Sequence, residues 1–192
     1  TTGEGGAILT NNKDFYEDLL EKRSHGATKK PDKLSKNDGS WYYEIHELGF
    51  NYRITDIQSA LGIMQLKKLD SFISKRKKIV DIYNQVFSEL DGLQTPVVNK
   101  EVTSSHHLYY VRLDSDIAKI SRNKFFEELK KRDLGVQIHY IPVHLQPFYR
   151  NKFGCAEGDC PVSEKYYQQT LSLPLYPGMN EKQINIVINT VR

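Results

Sequence analysis

The sequence predicts an α/β chain that ends in a small α+β domain. Three features carry that expectation. A glycine-rich opening, Thr1-Thr-Gly-Glu-Gly-Gly6, runs into a short β-rich run and then a helix. A long stretch in the middle carries apolar residues at spacings of three and four. Beyond it, strand and helix signals alternate in the order β-α-β-α-α, which suits a small sheet with helices packed on it.

The elements follow in order. Residues 6–10 read as a short strand. Asn11 or Asn12 can cap a helix through Arg23, with Phe15, Leu19 and Leu20 on one face. Residues 26–44 form a polar excursion containing Lys29, Lys30, Lys33 and Lys36. A solvated loop is favoured there over a phosphate-binding patch. Trp41, Tyr42 and Tyr43 close the excursion, and three adjacent aromatics suggest docking onto this chain or a partner. Thr55 and Gln58 have the spacing of a capping box and open a helix from Asp56 to Lys68. Asp70 is placed as the next N-cap. Phe72, Ile79, Ile82, Tyr83, Val86, Phe87 and Leu90 then mark a long amphipathic helix ended by Gly92. The domain boundary is placed inside that helix, giving units 1–75 and 76–192. His107 to Leu113 is a strand, Ser121 caps a helix, and Gly135 to Tyr140 is another strand. Pro161 opens a helix through Thr170. Asn180 and Gln183 open the last, with Ile184, Val187, Ile188 and Val191 on its apolar face.

Composition narrows the function. A chain of 192 residues, 39% hydrophobic and 11% aromatic, can bury one ample core or two small ones. Its 27 basic and 24 acidic residues nearly balance at +3, which disfavours nucleic acid and membrane surfaces as partners. No apolar run is long enough to span a bilayer, and no signal peptide is visible, so the expectation is cytoplasmic. The only cysteines, Cys155 and Cys160, lie in Cys-Ala-Glu-Gly-Asp-Cys. A disulfide between them is sterically possible, but two reduced thiols are favoured, and no further ligands stand nearby for a metal. The chain opens at Thr1, inside a motif, and so reads as a piece of a longer protein.

Chemistry concentrates just before the capped helix. Asn51 and Arg53 lie outside a helix N-terminus, where backbone N–H groups and the dipole favour an anion, although polar residues there are also ordinary turn formers. Pro142 fixes a rigid turn after a strand end, a good place from which to present His139, Tyr140 and His144.

Four segments together carry a resemblance: Thr1-Thr-Gly-Glu-Gly-Gly6, Gly49-Phe-Asn-Tyr-Arg-Ile-Thr-Asp56, His139-Tyr-Ile-Pro-Val-His-Leu-Gln-Pro-Phe-Tyr149 and Ser172-Leu-Pro-Leu-Tyr-Pro177. In order and spacing they resemble the motifs of the DegT/DnrJ/EryC1/StrS sugar aminotransferases, from the first residue to the last. The resemblance implies the C-terminal part of a fold-type I transferase that depends on pyridoxal phosphate: the end of the large domain plus a small α+β domain. It implies a homodimer with shared active sites, a nucleotide-linked keto-sugar as acceptor and an amino-acid donor, normally glutamate. Glu4 and Gly5, in the glycine-rich motif, would face the cofactor. Asn51 would reach the cofactor phosphate of the other subunit; here Phe50 replaces the motif's first Tyr. Arg53 would hold the substrate diphosphate or else make an exposed salt bridge. His25, His139, Tyr140 and His144 would contact substrate. His106 or His107 also matches a family histidine, and His106 is read as packed or solvated. The family's Schiff-base lysine lies upstream of the first motif, outside this chain. Pro142 to Tyr149 and Glu164-Lys-Tyr-Tyr167 look most like the branch acting on UDP-linked 4-keto-6-deoxy-N-acetylhexosamines, toward pseudaminic-acid-type sugars. The competing expectation is a non-catalytic dimerising or sugar-contacting piece.

Overall fold

A computed structural model describes residues 1–192. The chain divides into two compact units, Thr1–Lys68 and Leu69–Arg192, and the division falls ahead of the residue-75 boundary.

In the first unit, helix α1 (Lys13–Lys22) starts at Asn12, whose side chain accepts from the backbone N–H groups of Asp14 and Phe15. Two short strands, β1 (Ala27–Thr28) and β2 (Glu44–Ile45), pair antiparallel and close the base of the polar excursion. Two of the excursion's four lysines are spent on α1. Lys30 reaches Glu17 at 2.6 Å, Lys33 reaches Glu21 at 2.9 Å, and Lys36 pairs with Asp38 at 2.6 Å. Glu44 fastens the other side. Its carboxylate accepts from the Ser35 hydroxyl, from the Ser35 N–H at 2.9 Å and from the Tyr42 hydroxyl at 2.8 Å, and His46 Nε2 lies 2.9 Å away. Those hydroxyl donors, Ser35 first and Tyr42 second, pull the Glu44 pKa down to about 2. Tyr42, of the aromatic trio, thus docks onto its own chain, while Trp41 and Tyr43 stay exposed. Helix α2 (Asp56–Lys67) has the expected Thr55–Gln58 capping box.

Residues 6–10 do not form a strand, which corrects the sequence reading. A strand exists only by pairing, and no segment pairs with this one; Ile8 and Leu9 are exposed.

The second unit is the small α+β domain. Helix α3 (Leu69–Phe87) follows α2 almost directly. Asp70 is therefore inside its first turn rather than its cap, still well placed against the helix dipole. Gly92 does not end this helix either. It sits in the turn into β3 (Leu93–Gln94), where its carbonyl accepts from Asp114 N–H at 2.7 Å. Strand β4 (Tyr109–Leu113) is central in an antiparallel sheet of order β3-β4-β5, with β5 at Thr170–Leu173. Tyr109 faces Leu173 and Val111 faces Leu171 across β4 and β5. Alternate residues of β4, Tyr109, Val111 and Leu113, are buried, as period-2 patterning requires.

The core joins those residues to Ile79, Val80, Tyr83 and Phe87 of α3, Leu129 of α5 (Arg122–Lys131) and Ile184, Val187, Ile188 and Val191 of α8 (Glu181–Val191). Tyr83 meets Tyr109 edge-on, with ring centres 5.0 Å apart. Ser121 and Asn180 cap α5 and α8 as expected. Between the strands lie α4 (Ser115–Ala118), a single 3₁₀ turn at Val143–Leu145, α6 (Pro147–Phe153) and α7 (Pro161–Gln169). On the sheet's other face Tyr110 packs edge-on against Tyr166 of α7.

The strand expected at 135–140 is a single bridge, Gln137 to Ser172. The Ile138 N–H is taken by the Gln137 side chain at 3.0 Å, and Pro142 brings no donor, so the ladder stops after one rung.

Candidate functional site

In the first unit the expected site residues gather at one crossing. The chain leaving α1 meets residues 49–52 through three backbone hydrogen bonds. Phe50 N–H donates to Lys22 O at 2.7 Å, His25 N–H to Phe50 O at 2.8 Å and Tyr52 N–H to Arg23 O at 2.9 Å. Ser24 and Asn51 are bridged, so His25 and Asn51 stand on adjacent backbones. Glycine makes the approach possible: a Cβ on Gly49 would sit on the Gly26 amide nitrogen, and one on Gly26 would sit on Glu47 O. The rings of Phe50 and Tyr52 stack at 4.8 Å on either side of Asn51 in sequence.

The crossing feeds directly into the N-terminus of α2. Gln58 Oε1 accepts from Thr55 N–H at 3.0 Å, and its Nε2 donates to Glu4 O at 2.8 Å. One glutamine thus closes the helix cap and ties the glycine-rich motif to it, bringing Glu4 and Gly5 to the same helix end as Asn51 and Arg53. All four are exposed. Arg53 joins none of the ion pairs formed within residues 1–192. An unpaired guanidinium and an exposed amide beside a helix N-terminus form a donor set that suits a phosphate.

The second unit holds the other three. His139 Nδ1 shares a 2.9 Å hydrogen bond with Ser172 Oγ, and Ser172 is itself bonded through its backbone to Gln137. Tyr140 packs edge-on against His139 with centres 4.6 Å apart and is 74% exposed. His144 Nε2 donates to Glu164 Oε1 at 2.7 Å, and both side chains are largely buried. Glu164 also accepts from the N–H groups of Gly158, at 2.9 Å, and Cys160, at 3.2 Å. The His144 hydrogen bond is the strongest influence holding the Glu164 carboxyl below the ordinary carboxylate range, and the two backbone donors add to it. His144 is therefore held by its own fold rather than free at a surface. His106, half-buried, has its pKa lowered by burial, in keeping with a packed histidine.

Sequence reasoning missed three contributors. Gln58 was legible only as a cap, and Ser172 and Glu164 only as parts of motifs. No group of three or more His, Cys, Asp and Glu side chains is placed to hold a metal ion.

The family model for the DegT/DnrJ/EryC1/StrS aminotransferases matches residues 1–192. The chain belongs to that family. Among curated relatives, the uncharacterized protein MJ1066 of Methanocaldococcus jannaschii is 45% identical over all of this chain and 50% of its own length. A UDP-4-amino-4,6-dideoxy-N-acetyl-beta-L-altrosamine transaminase of Campylobacter jejuni is 35% identical over 100% of this chain and 48% of its own. Among solved structures, Helicobacter pylori PseC, an aminotransferase involved in the biosynthesis of pseudoaminic acid, superposes with a TM-score of 0.84 at 29% identity, over 100% of this chain and 48% of that one. The chain spans about half the length of the curated relatives it matches. The fold is thus that of the matching part of a fold-type I sugar aminotransferase. Aminotransferases of this family depend on pyridoxal phosphate. One structural neighbour, Spr1654 from Streptococcus pneumoniae, is known in its PLP form, with a TM-score of 0.80 at 26% identity over 97% of this chain and 44% of that one.

Proposed function

We propose that the full-length protein transfers an amino group, from glutamate, onto the keto carbon of a UDP-linked 4-keto-6-deoxy-N-acetylhexosamine in cell-surface glycan biosynthesis. The observation that carries this reading is the unpaired donor pair Asn51 and Arg53 at the capped N-terminus of α2, in a chain of this family. Relatives named for amino-sugar transamination support the substrate class.

Pyridoxal phosphate, when bound, supplies the electron sink for moving an amino group. The residues present suit its phosphate: the Asn51 amide donates without adding a buried charge, and Gln58 ties the backbone of Glu4 to the same helix N-terminus. In this reading Asn51 serves the partner subunit of a homodimer. Arg53 binds the sugar-nucleotide diphosphate, for which the guanidinium fork is suited. His25, His139 and Tyr140 contact the sugar, with His139 oriented by Ser172. His144, clamped by Glu164, supports the edge of that pocket. The enzyme is cytoplasmic in this account, and no helix here is long and apolar enough to cross a membrane.

A coupled assay of the full-length protein with glutamate against a panel of UDP- and dTDP-linked keto-sugars tests the proposal. Turnover of the UDP-4-keto-6-deoxy-N-acetylhexosamine, with release of 2-oxoglutarate, supports it. Preference for a dTDP-sugar would replace the substrate assignment, and no transamination of any keto-sugar would remove the enzyme reading in favour of a dimerising or sugar-contacting protein.

A further inference from the structure

Ser172 is buried, at 5% exposure, within β5. Its backbone is committed to the sheet. Its N–H donates to Gln137 O at 2.7 Å, its carbonyl accepts from Gln137 N–H at 3.2 Å, and Tyr110 of β4 pairs with it from the other side. Its hydroxyl has one hydrogen-bond partner in the chain, His139 Nδ1 at 2.9 Å. His139 is half-buried, and that bond is the only one its ring makes within residues 1–192. The serine is thus the fixed member of the pair, and the imidazole takes its orientation from it.

Counting donors then decides which ring nitrogen carries the proton. A neutral imidazole has one N–H and one bare nitrogen, and the partner of one nitrogen sets the state of the other. If Nδ1 held the proton, it would donate to Ser172 Oγ, and the serine O–H would be left in a buried position without an acceptor. If Nε2 holds it, the serine O–H donates to the bare Nδ1, and only serine lone pairs go unused. A buried donor without a partner is the costlier defect.

We propose that Ser172 is a positioning residue that fixes neutral His139 as its Nε2–H tautomer, so that His139 meets the sugar nucleotide as a hydrogen-bond donor. This rests on the reading that His139 contacts the sugar, and it adds the polarity of that contact. The group facing Nε2 must accept. A hydroxyl, carbonyl or phosphate oxygen qualifies, whereas an ammonium group, which only donates, is disfavoured at that position.

The test uses the full-length protein carrying isotopically labelled histidine. Long-range proton–nitrogen correlation spectra, taken at a pH where imidazoles are neutral, separate bare from protonated ring nitrogens. The His139 signals are those missing from His139→Ala. A bare Nδ1 and a protonated Nε2 are expected. A protonated Nδ1, or two nitrogens averaged between the forms, overturns the tautomer. Ser172→Ala removes the hydroxyl with little change of volume. It should displace the His139 ring signals and raise the Michaelis constant for the sugar nucleotide about two- to tenfold, the range of one neutral hydrogen bond. Pyridoxal-phosphate affinity should stay as in wild type. Unmoved His139 signals overturn the positioning role. So does an unmoved Michaelis constant where His139→Ala raises it, or a parallel loss of cofactor affinity, which would mark a merely structural serine. A Michaelis constant unmoved in His139→Ala as well would overturn the sugar contact and with it the donor role, while the spectra alone judge the tautomer.

Discussion

His144 Nε2 lies 2.7 Å from Glu164 Oε1, and that carboxylate simultaneously seats the turn before α7. Because the folded-state pKa of Glu164 is depressed, its ionised form favours folding. That contribution is complete above the ordinary carboxylate pKa of about 4.3 and is lost as pH falls through the lower folded value. Glu164→Gln should therefore unfold more easily than wild type at neutral pH, and the gap should narrow below about pH 4. Urea unfolding midpoints from pH 7 downward measure it; a gap that is constant to strongly acid pH would mean that the ionised pair does not contribute.

Tyr83 and Phe87 sit at the centre of the second unit's core and make different kinds of contact. The Tyr83 hydroxyl, its pKa pushed up by burial, donates to Pro174 O at 3.1 Å. Tyr83→Phe removes one hydrogen bond and should cost about 1 kcal/mol. Phe87→Ala leaves a cavity and should cost about 3–5 kcal/mol. Denaturant titration separates them, and equal losses would contradict the packing described.

Gly49 faces backbone, not a side chain that could move aside. Gly49→Ala should cost about 1–3 kcal/mol or more and disturb the Ser24–Asn51 bridge. Gly135→Ala, where a Cβ meets nothing within 4 Å, is the control. Thermal unfolding and pyridoxal-phosphate retention of both full-length variants check it. Equal behaviour would show that the crossing does not position Asn51.

The first unit leaves large apolar side chains uncovered, with Ile57 at 83% and Leu48 at 93% exposure. Exposed apolar surface of this extent drives association. Residues 1–192 expressed alone should therefore self-associate; sedimentation as a clean monomer at tens of micromolar, the range expected of weak contacts, would contradict this.

Helices were far more legible than strands. Thr55 with Gln58, Ser121, Pro161 and Asn180 with Gln183 each mark a helix start by local chemistry, and the structure keeps all four. Strands depend on partners elsewhere. Residues 6–10 look like a strand and lack a partner. Thr170–Leu173 carries no alternation, because all four residues are buried, so no strand was read there and Thr170 was taken as a helix end. β1 and β2 are two residues each, too short for any periodicity. At the site, the motifs exposed residue types at Asn51, Arg53 and His139, but not what holds them. Gln58 reaches Glu4 across 54 positions, His139 meets Ser172 across 33 and His144 meets Glu164 across 20, and no local pattern encodes such separations.

The most direct test of the proposed roles compares Asn51→Ala with His139→Ala in the full-length enzyme, by pyridoxal-phosphate titration and by the Michaelis constant for the sugar nucleotide. Losing one hydrogen bond to a charged phosphate costs about 1.5–3 kcal/mol, so Asn51→Ala should weaken cofactor binding roughly ten- to a hundredfold. His139→Ala should raise the sugar Michaelis constant and leave cofactor affinity unchanged. Wild-type cofactor affinity in Asn51→Ala, or cofactor loss in His139→Ala with an unchanged Michaelis constant, would contradict the account.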